Sequence, residues 1–313
     1  LIPNVGTRAT FALLALLLLA VVLLGLLAAR QWRDALAVTL AAAVVAWVGF
    51  RPAGPIKAAE GLVFETESAF NYIQVLDLGV ERQLRLNEGE GIHSVYRPAG
   101  GLADGIWDYF LLAPAFNPAG YTPKQVDRVA IVGLAAGTMA QLYTEAYGPI
   151  AIDGAELDPE IIATGRAWFA MDQPNLNAYA VDGRRFLVNT PARYDVVAVD
   201  AYRPPYIPFH LTTVEFFQLA RDRLNPQGVV AVNVGRTSDD YSLVHAIAAT
   251  MLRVFPSVYV MDEPSGASDL GNTLVIGTKQ PTTLRDLAAN VPAFTHPLLV
   301  EAAARATPQA QPA

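Results

Sequence analysis

The hydrophobic pattern changes period twice along the chain. Residues 9–29 carry no charge and are dominated by Leu and Ala, and at about 1.5 Å per residue such a run crosses a hydrocarbon core about 30 Å thick. A second uncharged run, 35–50, follows Arg30, Arg33 and Asp34, and its Trp47 and Phe50 fall where an interfacial aromatic belt lies. Neither run has a polar face, which predicts a helical hairpin in a membrane rather than two buried helices of a soluble domain. A signal peptide is the competing reading, but no small-residue cleavage pattern follows. Arg8, Arg51 and Lys57 flank one side and Arg30 and Arg33 the other, so the count of positive charges places the C-terminal bulk in the cytoplasm. The chain opens on Leu1 rather than Met, which leaves room for further membrane helices upstream.

Pro52, Gly54 and Pro55 form a linker, after which apolar and polar residues alternate at 62–66, 72–76 and 83–87. That period predicts short antiparallel strands of a small β subdomain. Residues 107–115 read as a joining helix, and Pro118, Gly120 and Pro123 as a boundary. From Val126 the pattern alternates between strands and helices, as in a parallel α/β sheet. Strands are expected at 129–132, 150–156, 177–181, 194–200, 229–234, 257–261 and 273–277, and helices at 138–147, 160–170, 183–189, 213–224 and 240–255. The last two strands follow each other directly, so the sheet is expected to end in an antiparallel pair. The expected domains are therefore membrane helices at 1–57, the β subdomain at 58–117, a Rossmann-like α/β domain at 118–280, and a peripheral C-terminal segment at 281–313 with a disordered tail.

Composition narrows the chemistry. A net charge of −7, with no basic run longer than Arg184-Arg185, argues against a nucleic-acid partner. The absence of cysteine removes disulfides, thiolate metal sites and a cysteine nucleophile. Only four histidines are present, His93, His210, His245 and His296, too widely spaced to support a metal site.

Ligands of such sheets bind beyond the carboxyl ends of the strands. The first α/β strand ends in Gly133-Leu-Ala-Ala-Gly137, a turn whose backbone can approach a ligand or simply pack a helix. The second ends in Glu156, placed to accept from ribose hydroxyls; the third in Asp182-Gly183, where the acid suits an adenine amino group and also a helix N-cap; the fourth in Asp200. Carboxylates repel phosphates, and neither Gly-Lys-Ser/Thr nor Gly-x-Gly-x-x-Gly is present. Three acids at one mouth fit a phosphate-free adenosyl ligand with a cationic sulfonium, and attack beside a sulfonium needs mainly alignment and a base.

Several stretches in order carry a resemblance: Glu65-Thr-Glu-Ser-Ala-Phe-Asn-Tyr-Ile, Leu86-Asn-Glu-Gly, Trp107-Asp-Tyr-Phe, 129–138, Ala155-Glu-Leu-Asp-Pro-Glu, Val181-Asp-Gly-Arg-Arg-Phe-Leu, 194–202 and His210-Leu-Thr-Thr-Val-Glu-Phe-Phe. Over roughly residues 60–280 the chain resembles the membrane-fused spermidine synthase-like proteins of the polyamine aminopropyltransferase family. The resemblance implies a methyltransferase-like, seven-stranded, mostly parallel sheet in an α/β fold, preceded by the small antiparallel subdomain and the transmembrane hairpin. It also implies that Glu156 holds ribose, Asp182 adenine, Asn71 the edge of the nucleoside site and Tyr109 the substrate pocket, with Asp200 the first acid of the family's Asp-Ser-x-Asp-Pro loop. Two positions depart from the family: Ala136 stands where its glycine loop has an aspartate, and Arg203 where the second loop aspartate, the expected base, would be. An arginine there suits a carboxylate, on ordinary adenosylmethionine or on an acidic acceptor, or is a solvated loop residue.

The expected function is a membrane-anchored transferase moving an aminopropyl group from decarboxylated S-adenosylmethionine to an amine acceptor, with no tightly bound cofactor. The alternatives are methyl transfer from S-adenosylmethionine and a non-catalytic nucleoside-binding domain. His210 is placed either at the acceptor or as an orderer of its loop, and the facing of Gln74 and Glu65 is left open. The expected partners are the adenosyl donor, the amine acceptor and the membrane, and a homodimer is an admissible assembly.

Overall fold

The computed structural model describes residues 2–51, 54–87, 91–202, 207–263 and 270–310. The chain forms two compact units: Leu1–Leu78 with Gln83–Ile92, and Gly79–Arg82 with His93–Ala313.

In the first unit, helices α1 (Ile2–Ala28) and α2 (Trp32–Phe50) cover the two uncharged runs. Val5–Ala28 and Trp32–Phe50 are long and apolar enough to cross a membrane, with mean hydropathies of 3.1 and 1.6. Phe11, Leu17, Leu18, Val21 and Leu24 all lie exposed along α1, apolar surface that water would penalise and lipid would not. The helices touch through small residues: a Cβ on Gly49 would lie 2.2 Å from Ala12 Cβ, the close approach that glycine permits between apolar helices. At the far end of α2 the Arg51 guanidinium lies 4.9 Å from the Trp47 ring centroid. Gly6 breaks the helical path with φ 78°, and the N–H of Thr7 just beyond it donates to Glu67 Oε2 at 2.7 Å, a carboxylate at a helix N-terminus.

Strands β1 (Leu62–Glu67), β2 (Tyr72–Asp77) and β3 (Arg82–Leu86) fall where alternation places them and lie side by side, β1 antiparallel to β2. A further strand, β4 (Ile92–Tyr96), was not expected; its run is short and a histidine and a serine interrupt its apolar character.

The second unit is built on an eight-stranded sheet. Its strands are β5 (Arg128–Val132), β6 (Ala151–Glu156), β7 (Leu176–Ala180), β8 (Tyr194–Val199), β9 (Leu224–Thr237), β10 (Ser257–Asp262), β11 (Leu270–Thr278) and β12 (Pro308–Ala310), in the order β12-β10-β11-β9-β8-β5-β6-β7. Pairs among β5 to β9 are parallel, and β11 and β10 close the sheet in antiparallel fashion. All seven expected strands are present. The correction lies in the tail, which contributes β12 against Tyr259–Met261 of β10; three residues with a proline carry too little pattern to read, and edge pairing rather than composition orders them.

Alternate residues of the central strands enter two different cores. Val129, Ile131, Val196 and Ala198 face one, and Ala130, Val132, Val197 and Val199 the other, which is why these strands read as unbroken apolar runs. Helices α4 (Thr138–Tyr147), α5 (Pro159–Trp168), α6 (Gly183–Asn189), α7 (Val214–Asp222) and α8 (Ser242–Leu252) connect the strands close to their expected positions. The expected helix at 107–115 is a short α3 (Trp107–Phe110) followed by a 3-10 turn at Ala113–Phe116, since Pro114 has no N–H to continue the ladder. Beyond Gln280, α9 (Leu284–Asn290) and α10 (Pro297–Arg305) bring Phe294, Leu298, Leu299 and Ala302 into the first of the two cores.

Asn290, 1% exposed, ties this C-terminal segment down. Its Nδ2 donates to the carbonyls of Ala115, Asn117 and Pro118, and its Oδ1 accepts from the N–H groups of Gly120 and Tyr121. Replacing it with alanine strands buried backbone groups that water cannot reach. Asn290→Ala is expected to cost about 2–4 kcal/mol, read as a lower thermal unfolding midpoint of the full chain.

Candidate active site

The carboxyl ends of β5, β6 and β8 converge on one glycine. Gly133 has φ +91°, and a Cβ on it would lie 2.3 Å from the Asp200 carbonyl oxygen. Its N–H donates to Ala155 O at 2.9 Å, while the N–H of Asp200 donates to Val132 O at 2.8 Å. The turn after β5, the end of β6 and the start of the loop after β8 are therefore fixed to one another at this point. Only glycine fits both the left-handed backbone and the contact.

The rest of the turn aims its amides at side chains. The Ala135 N–H donates to Glu156 Oε2 at 3.0 Å and the Asp158 N–H to Glu156 Oε1 at 3.1 Å. One backbone bond to each oxygen fixes the carboxylate plane and leaves further lone pairs for a ligand. Burial raises the Glu156 pKa, although these bonds oppose the shift. The Ala136 N–H donates to Ser94 Oγ on β4, and Thr138 exchanges two hydrogen bonds with the Val95 backbone, so β4 buttresses the turn. Gly137 (φ +93°) meets the Met171 side chain, and Gly183 meets Val132, 2.6 Å and 2.2 Å respectively from an added Cβ; at both positions the bare face is packed.

Asp182 caps α6 by accepting from the Arg185 N–H at 2.9 Å, and its other oxygen lies 2.8 Å from His210 Nε2. Burial pushes its pKa up, but the Arg185 N–H and His210 outweigh that and hold it below the ordinary carboxylate value. His210 is thus drawn to the end of β7, where sequence had offered the acceptor or its own loop. The Arg184 guanidinium donates to the His210 carbonyl and fastens the same segment.

Asp200 is half-buried, with Oδ2 accepting from Trp107 Nε1 at 2.9 Å and Oδ1 from Asn233 Nδ2 at 2.8 Å. Burial raises its pKa, the two hydrogen bonds pull it back, and the Glu263 carboxylate pushes it up again. A carboxylate so raised takes a proton more readily than an exposed one. Tyr109, 3% exposed on α3, has its hydroxyl pKa pushed up to about 12 by burial, with Asp108 and Glu263 adding to the effect.

Glu156, Asp182 and Asp200 thus lie at one edge of the sheet, with Gly133, Gly137 and Gly183 in the turns between. Asn71 belongs to the first unit, where its Oδ1 accepts from Asn87 Nδ2 at 3.0 Å. Gln74 is buried there with its amide on the Lys57 carbonyl, and Glu65 accepts from the Tyr72 hydroxyl. Arg203 lies outside the described residues. Ser94, Asn233 and Glu263 went unnoticed in the sequence, and Trp107 was read only as the start of a helix and of a motif, not as a partner of Asp200. Asn233 left a signal, a polar residue inside the apolar run of β9; Glu263, one residue past a strand end, left none.

The spermine/spermidine synthase domain matches residues 123–279. A probable polyamine aminopropyl transferase of Bifidobacterium longum is 33% identical over 233 residues, covering 74% of this chain and 47% of the relative. A polyamine aminopropyltransferase of Vibrio vulnificus is 29% identical over 161 residues, covering 50% of this chain and 51% of the relative. The chain spans about half the length of these curated relatives. The crystal structure of a probable spermidine synthase from Corynebacterium glutamicum is similar with a TM-score of 0.64 at 22% identity, over 81% of this chain and 91% of that one, a likeness of fold.

Two outcomes follow from this geometry. Gly133→Ala combines positive-φ strain with a clash on backbone and is expected to lower stability by at least about 1–3 kcal/mol, measured by thermal unfolding. Asp182, with its folded pKa depressed, contributes stability that is present above the unfolded carboxylate value of 3.8 and is lost as pH falls through the lower folded value. Asp182→Asn should therefore lower stability in the neutral region and flatten the acid limb of a stability–pH curve, the two proteins converging below the folded value.

Proposed function

The chain belongs to the spermine/spermidine synthase family, and from that premise we propose that it is a membrane-anchored aminopropyltransferase. The donor is decarboxylated S-adenosylmethionine and the acceptor a polyamine-type amine. In this reading Glu156 accepts from the ribose hydroxyls, Asp182 with Gly183 holds the adenine end, and the Gly133–Gly137 turn passes beneath the nucleoside. Tyr109 lines the acceptor side, and His210 orients Asp182. Helices α1 and α2 anchor the chain, with the α/β unit on the cytoplasmic face.

The observation that carries the reading is the state of Asp200. Its carboxylate is half-buried at a strand end, oriented on both oxygens, and raised in pKa. The attacking amine must be neutral to offer its lone pair, and Asp200 takes the proton it gives up. The nitrogen then attacks the propyl carbon beside the sulfonium. The new C–N bond forms as the C–S bond breaks, and the electron pair returns to sulfur, leaving neutral methylthioadenosine. An acid-rich mouth suits a cationic donor and releases a product that has lost its charge. Ordinary methyl transfer is less well supported, since the amino-acid carboxylate of adenosylmethionine would meet the same acids.

Full-length protein in detergent, given decarboxylated S-adenosylmethionine and putrescine, is expected to form spermidine and methylthioadenosine in equal amounts. Asp200→Asn should lower kcat by about 10²–10⁴-fold while methylthioadenosine still binds. Absence of turnover with every diamine tried would overturn the proposal.

A further inference from the structure

A second acid shares the edge of the sheet with Asp200. β9 runs parallel to β8, β11 antiparallel to β9, and β10 antiparallel to β11. β10 therefore points the same way as β8, and Glu263, immediately after its last residue, emerges at the same carboxyl edge. The Glu263 N–H donates to Asn272 O at 2.9 Å, and Glu263 Oε2 accepts from Asn272 Nδ2 at 2.8 Å. A Cβ on Gly105 would lie 3.8 Å from Glu263 Oε1 and 2.9 Å from Trp107 Cε3 and Cζ3. The same indole gives its N–H to Asp200. The indole thus holds Asp200 through its N–H, while its opposite edge and Glu263 Oε1 both lie within 4 Å of one point, the Cβ position of Gly105.

The protein's own polar groups leave this place short of donors. Arg236 directs its Nε to Thr273 Oγ1 at 3.1 Å and to Asp262 Oδ1 at 3.3 Å, and its Nη2 to the Glu263 carbonyl at 3.4 Å. Among the described residues it bonds neither the Glu263 nor the Asp200 carboxylate. Asn233 is 6% exposed, and its Oδ1 is buried without a partner, on the very amide that donates to Asp200. A buried carbonyl oxygen with no donor is a costly arrangement unless a ligand supplies one. The Tyr109 hydroxyl also has no hydrogen-bond partner among the described residues, and it feels the Glu263 charge. Two carboxylates and an amide oxygen call for a ligand with positive charge and several N–H groups.

We infer that Glu263 anchors the distal ammonium of the acceptor, and that Asn233 Oδ1 receives an N–H of the nitrogen beside Asp200, so that the site selects diamines over monoamines. This rests on the aminopropyl-transfer reading. Asp200 meets the reacting nitrogen, and Glu263 meets the one that does not react.

The test compares putrescine with butylamine, which has the same carbon chain and one nitrogen, in the full-length wild-type protein and in Glu263→Gln. Wild type should prefer the diamine in kcat/KM. Glu263→Gln should raise KM for putrescine about 10–100-fold with a smaller change in kcat, and so collapse the diamine-to-monoamine ratio. Glu263→Asp should restore part of it. Methylthioadenosine affinity, measured by calorimetry, reports that the variants are folded. A ratio unchanged in Glu263→Gln would overturn the role of Glu263 and leave aminopropyl transfer standing; a wild type that turns over no diamine would overturn both.

Discussion

The close crossing of Gly133 over the Asp200 peptide is the contact on which the edge of the sheet depends. It joins three strand ends through backbone alone, with no side chain to adjust the fit. Because β5, β6 and β8 are buried on both faces, their positions are set by two cores rather than by the mouth. The glycine then converts that rigidity into a fixed distance between the turn after β5 and the acid after β8. Side chains that need accurate placement are best carried on such elements.

The acids around the crossing are held by donors that the backbone and an indole supply. Glu156 rests on two main-chain amides, Asp182 on a helix N-terminus and His210, and Asp200 on Trp107 and Asn233. At Glu156 and Asp200 the donors are neutral and orient the carboxylate without cancelling its charge, whereas an arginine in each place would have neutralised it. Burial then raises Glu156, Asp200 and Glu263 together. His210 answers Asp182 and the Arg236 charge acts on Glu263, but Glu156 and Asp200 form no ion pair among the described residues, and negative charge left at a mouth in this way attracts a cation.

Much of this was legible in the sequence because it follows from local pattern. The buried strands announced themselves as β-branched runs, α4 and α6 began and ended at the expected residues, and three of the acids stood at strand ends where position alone gives them meaning. What could not be read depends on contacts between distant segments. Trp107 and Asp200 are brought together across the fold, as are Asn233 and Asp200, and no periodicity links them. The same holds for β12 and for Asn290, whose importance lies in the five backbone groups it satisfies rather than in its own neighbourhood. The need for glycine at 137 and 183 was visible, but its cause, the proximity of Met171 and Val132, was not.

Ala136 shows how a departure from the family can be accommodated. It is 1% exposed, its N–H is spent on Ser94, and its Cα lies 3.1 Å from where a Cβ on Gly165 would stand. A carboxylate at that position would need room and donors, and the turn instead packs a methyl group. Negative charge lost from the turn is matched by charge gained at the other end of the mouth, where Glu263 stands beyond Trp107. A cationic ligand responds to the summed field of the carboxylates around it as well as to any single contact. The acids can therefore move from one strand end to another without changing the sign of the site, while the geometry of the ligand they select changes with them.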